Sequence, residues 1–149
     1  MIAAALAIAA LAFDPIAFFM GKTRGEGTLK VALKAPQAIR VESFGEADKD
    51  GALTLRQVIH EPGKPPRTRY WRLRETAPGR FGGTLTDAKG PVRIEQSGDV
   101  IRIRYTARDG LDFDQTLTPT GPRTVANRMR IKRFGITVAR IVEVIRKVE

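Results

Sequence analysis

The residue types that carry most enzyme chemistry are few in this chain and widely spaced. His60 is the only histidine, and there is no cysteine. A lone imidazole beside Glu61 works as a general base only where other groups converge on it. The plainer reading is a histidine at a strand end, on the surface or the rim, and a metal site there would have to be completed by carboxylates. Asp112 and Asp114 alternate with Phe113, so on a strand both face one side. Such a pair suits acid–base work or a hard cation. It equally suits two outward acids paired with neighbouring arginines around an inward Phe113, which is the arrangement we expect. Gly21, Gly25 and Gly27 do not make a phosphate loop, because no Lys-Ser/Thr ending and no convincing helix follow them. They suit close packing where a first strand bends across a sheet. None of these residues implies a cofactor or a metal.

The apolar residues say more. Trp71, Leu73, Phe81, Ile101, Ile103, Tyr105, Phe113 and Met129 fall at the inward phase of strand-like segments. These eight are the candidate ligand-lining residues. Two readings of them stand together: they line a ligand cavity, or they fill a small barrel, since eight strands leave room only for side chains or one small ligand. Arg128 is placed to stack on an aromatic ring near the closed end of such a barrel.

The elements that must position these residues are short and regularly spaced. Asp14 suits a helix N-cap and Pro15 a first helical position, but the glycines from Gly21 onward keep that helix to a turn. Strands are then expected over Gly27–Leu33, Ala38–Ala47, Ala52–Glu61, Arg67–Glu75, Arg80–Asp87, Gly90–Gln96, Val100–Ala107, Leu111–Thr118 and Arg123–Arg133. Turn residues separate them, among them Asp48-Lys49-Asp50-Gly51, Ser97-Gly98-Asp99 and Asp109-Gly110. Gly82-Gly83 marks a bulge or a sharp bend. In the last segment Val138, Ile141, Ile145 and Val148 fit a helical stripe, yet its Val and Ile content favours a strand, and a strand is expected. Nine or ten strands joined by tight turns, with no βαβ alternation, describe an antiparallel meander that closes into a barrel or sandwich.

Composition sets the outer bounds. With 149 residues, 42% of them hydrophobic and 28% charged, the chain makes one folded domain rather than two or a disordered chain. The formal net charge of +10 favours anionic partners. The basic residues alternate with apolar ones, as in Arg102 and Arg104 or Arg128, Arg130 and Lys132. That is the pattern of a solvated outer sheet face, and no long basic run points to nucleic acid. Residues 1–12, MIAAALAIAALA, read as the apolar region of a secretory signal with a small-x-small cleavage site at Ala10-Leu11-Ala12, leaving residues 13–149 as the domain. The run is too short to span a bilayer, since Asp14-Pro15 interrupts it. The expected location is the periplasm or cell envelope. With no cysteine, attachment through a lipidated cysteine does not apply.

Several motifs occur in a characteristic order: Phe18-Phe19-Met20-Gly21 with Gly25 and Gly27, then Arg69-Tyr70-Trp71-Arg72-Leu73, Phe81-Gly82, Asp87 to Gly90, Asp112-Phe113-Asp114, Asn127-Arg128 and Arg133-Phe134-Gly135-Ile136. In this the chain resembles the bacterial envelope family catalogued as domain of unknown function 3833, over about Phe18 to Arg146. The resemblance implies an all-β, antiparallel up-and-down barrel, lipocalin-like (calycin-type), with a short N-terminal helical turn. It assigns no activity and no functional residues. The function expected is therefore a non-catalytic envelope barrel for a small apolar or anionic lipid-like ligand. The alternatives are an enzyme built on Asp112, Asp114 or His60, and a scaffold that meets an anionic membrane surface or polymer through its charge.

Overall fold

Turn chemistry divides the chain much as the sequence suggests. The structure is a computed structural model and describes residues 13–148. The signal reading of residues 1–12 lies outside the described residues. Asp14 caps helix α1 (Pro15–Phe19), its carboxylate accepting from the Ala17 N–H at 3.2 Å, with Pro15 at a first-turn position where a missing N–H costs nothing. Ten strands follow: β1 (Gly21–Val31), β2 (Gln37–Ala47), β3 (Leu53–His60), β4 (Arg67–Ala77), β5 (Arg80–Leu85), β6 (Val92–Ser97), β7 (Val100–Thr106), β8 (Asp112–Gly121), β9 (Thr124–Arg133) and β10 (Ile136–Lys147). Each pairs antiparallel with the next, and β10 pairs with β1 from Thr23↔Lys147 to Val31↔Ala139, so the sheet closes as an up-and-down barrel.

Two boundaries differ most from expectation, the start of β1 and the end of β8, while the last segment is the strand expected. β1 starts at Gly21 rather than Gly27, because its glycines are strand residues that let the backbone and side chains of β10 come close. β8 runs through Pro119 to Gly121, with the irregularity absorbed by a register shift between Pro119 and Gly121. The final segment is a full strand, β10, and it seals the barrel.

The two ends differ. At one, α1 lies across the opening. Phe18 is buried there, Phe13, Ile16 and Phe19 pack around it, and the core beneath includes Phe81, Ile94, Ile101, Val125 and Ile145. Gly45 allows this seat, since a Cβ on it would stand 1.8 Å from the Phe19 carbonyl oxygen. Lys147 fastens the plug by donating from Nζ to the carbonyls of Phe18 at 2.7 Å and Met20 at 2.9 Å. It also sits 5.6 Å from the Phe18 ring centroid. The cation at this end is therefore Lys147 and not Arg128, which is exposed on the outer face. The other end is a mouth, ringed by the β1–β2, β3–β4, β5–β6, β7–β8 and β9–β10 turns.

Candidate functional site

Alternation along each strand sends one set of side chains inward. Ten strands make a wider barrel than eight, and the inward set does not fill it. A cavity of about 540 Å³ opens at the mouth. Its wall is mostly apolar, with Leu55, Ile59, Ile103, Met129, Ile131 and Ile141 among the contributors.

Of the eight candidate lining residues, Trp71, Leu73, Ile103, Tyr105, Phe113 and Met129 stand on this wall. Phe81 and Ile101 do not. Both face inward, but they belong to the start of β5 and β7 at the plugged end, where they are buried in the core under α1. They share the inward phase of the wall residues but lie deeper along the barrel axis, under the plug.

Set into the apolar wall is a group of polar side chains that the sequence reading did not single out. Arg69 lies near the mouth end of β4, and its side chain is only 12% exposed. Its Nε donates to Gln57 Oε1 at 2.8 Å, and the same oxygen accepts from Trp71 Nε1 at 2.6 Å. Gln57 Nε2 donates in turn to Ser43 Oγ at 3.3 Å. Gln57 thus fixes both the guanidinium and the indole. Trp71 meets Tyr105 edge-on at 5.7 Å, and Tyr105 stacks on Phe113 at 4.8 Å. The Tyr105 hydroxyl is buried with no hydrogen-bond partner among the described residues. Burial pushes its pKa up, and the neighbouring Arg69 charge opposes that shift. Asp87 is the acid nearest Arg69, at 3.5 Å, but Arg67 holds the same carboxylate oxygen at 2.5 Å. Arg67 and Arg69 thus share one carboxylate on this side of the cavity, next to the Tyr105 phenol.

Further round the wall, Asn127 Nδ2 donates to Glu143 Oε1 at 2.7 Å. Gly25 makes room for this carboxylate, since a Cβ there would stand 2.6 Å from Glu143 Oε2. Burial pushes the Glu143 carboxyl above the usual carboxylate range, partly offset by the Asn127 hydrogen bond and the charge of Arg69. Asn127 Oδ1 and Gln115 Oε1 are buried acceptors without a partner among the described residues.

These polar residues were legible in principle. Arg69 is in phase with Trp71 and Leu73, Gln115 with Phe113 and Leu117, Asn127 with Met129, and Glu143 with Ile141 and Ile145. A polar residue in phase with inward apolar ones is the signal.

The other chemistry-bearing candidates lie outside the cavity. Asp114 faces outward and is held by Arg102, with contacts of 3.0 and 2.8 Å, and by Arg130 at 3.5 Å. The Arg102 hydrogen bonds pull its pKa down. Asp112 accepts from the Thr106 hydroxyl at 2.7 Å. His60 ends β3 on the outer face, opposite Arg40, beside a separate shallow hollow.

Comparison with solved structures places the architecture. An S-type phycobiliprotein lyase from Guillardia theta superposes with a TM-score of 0.68 at 7% sequence identity, covering 90% of this chain and 91% of that one. At that identity the likeness shows the fold, and the fold is the expected lipocalin-like barrel. No curated protein matches the sequence. The profile of the protein family of unknown function DUF3833 matches residues 5–147, and the chain belongs to that family.

Proposed function

We propose that this barrel binds an elongated, largely apolar small molecule with one anionic head, of the fatty-acid class. The observation that carries the reading is Arg69, clamped by Gln57 inside an apolar cavity next to the unpartnered hydroxyl of Tyr105. A guanidinium and a phenol donate together to a carboxylate, and charge-assisted hydrogen bonds of this kind are the strong ones. The acyl chain would lie along Phe113, Met129, Ile131 and Ile141, contributing roughly 25 cal/mol for each Å² taken out of water. A volume of about 540 Å³ is in the range of small-molecule pockets. The likeness to a phycobiliprotein lyase supports a barrel that handles a small ligand. The proposal includes export, which N-terminal sequencing of the protein from its host checks: a start at Phe13 supports it and an intact Met1 opposes it.

Isothermal titration with palmitate tests the binding. Wild type is expected to bind saturably, with only modest loss in 1 M salt, where the screening length is about 3 Å. Arg69→Met should weaken binding about tenfold or more, in line with a hydrogen bond to a charged group worth about 1.5–3 kcal/mol. Ile103→Glu should abolish it in a protein that still folds. Affinity unchanged in Arg69→Met would remove the head-group assignment, and no saturable binding at any salt would overturn the proposal.

A further inference from the structure

We infer that the mouth of the barrel docks on an anionic lipid bilayer through the tips of two adjacent hairpins, β1–β2 and β9–β10. β1 and β10 are neighbours in the barrel, and their pairing continues past the strand ends with the Ala32 N–H donating to the Val138 carbonyl at 2.9 Å. The two tips therefore project side by side at the open end. Each carries a large apolar residue fully in solvent: Leu33 on the first, and on the second Phe134, 91% exposed, followed by Ile136 at 68%. Leu33 and Phe134 also have left-handed backbone, with φ of 65° and 51°. Bulky side chains rarely adopt that conformation. At Phe134 this is the conformation that the two-residue turn Phe134-Gly135 requires, and it holds the ring outward with no packing in return.

The surroundings identify what covers the tips. Lys34, Lys132 and Arg133 flank them, and none forms an ion pair among the described residues. Lys30 folds back onto the carbonyls of Val31 and Lys34, bracing the first tip. Of the acids on the nearby outer faces of β7 and β8, Asp114 is paired with Arg102 and Arg130, while Asp112 accepts from the Thr106 hydroxyl and keeps its charge. Apolar tips inside a ring of free cations match the layers of an anionic membrane: the cations meet the phosphates and the tips enter the acyl boundary. A protein partner would more often cover a broader face with a closed apolar centre. The inference extends the proposed lipid-like ligand by placing the mouth against its reservoir, but it stands on different residues.

Vesicle co-sedimentation separates the two. Wild type is expected to bind vesicles of phosphatidylcholine with 30% phosphatidylglycerol, weakly to bind phosphatidylcholine alone, and to release as salt rises. Asparagine accepts left-handed backbone, so Leu33→Asn/Phe134→Asn should keep or raise thermal stability while losing about tenfold or more in vesicle affinity. Lys34→Gln/Arg133→Gln should weaken binding to the anionic vesicles and flatten its salt dependence. Palmitate titration without vesicles should not change in either double variant, so failure of the cavity proposal reads out separately. No binding of wild type to anionic vesicles at low salt overturns the inference. Equal binding by the asparagine variant also overturns it, since charge alone would then explain the attraction.

Discussion

Glu143 sets an ionisable carboxyl into a mostly apolar cavity wall. Its carboxyl is buried, and folding raises its pKa. An acid with a raised folded pKa binds its proton more tightly in the native state than in the unfolded chain, so its stabilising contribution is complete below its ordinary value of 4.5 and is lost as pH rises through the raised value. Wild type should therefore lose stability across that window. Glu143→Gln keeps an acceptor for Asn127, brings an N–H donor to a site with an unpartnered Asn127 oxygen, and removes the titration. Urea unfolding at a series of pH values should show the variant as stable as wild type or more so above the window, with a flatter pH profile. A wild-type profile with no fall in that window would mean that Glu143 is not held in a dry site. The contrast with Asp114 is instructive. Both are inside strands, but Asp114 faces solvent and two arginines and its pKa goes down, while Glu143 faces the cavity and goes up.

The strands were legible because turns such as Asp48 to Gly51 and Asp109-Gly110 punctuate a period-two pattern, and even the ambiguous last segment resolved as its Val and Ile content suggested. What was not legible has a physical cause. The start of β1 reads as a connector because its glycines are chosen for what they leave empty on the neighbouring strand, and one strand's pattern does not show its neighbour. Depth along the axis fails for the same reason: Phe81 and Ile101 have the right phase, but register and the plug put them in the core. The plug itself depends on a contact between the chain's two ends. Lys147 reaches the carbonyls at the end of α1, so Lys147→Met should destabilise the fold by about 1–3 kcal/mol in equilibrium unfolding. A change under about 0.5 kcal/mol would show that Phe18 and Gly45 seat the helix without it.

At the scale of the whole molecule, asymmetry between the ends links fold to function. One end is sealed by α1 over an apolar core, so the ten-stranded barrel keeps its free volume near the mouth. The charge of +10 is spread over the outer sheet as alternation implied, yet its most telling members are the few inward arginines and the few unpaired cations beside the apolar tips. The ligand proposed for the cavity is anionic and apolar, and the molecule carries its own reporter for it. Trp71 is the only tryptophan, it stands on the cavity wall, and its indole N–H is fixed to the residue that fixes Arg69. Titrating palmitate while following Trp71 emission should give a saturable change at one ligand per chain, and hexadecanol, with the same chain and no charge, should give the same change only at higher concentration. An emission spectrum that stays flat as palmitate is added up to its solubility limit would contradict an anionic, apolar ligand in this cavity.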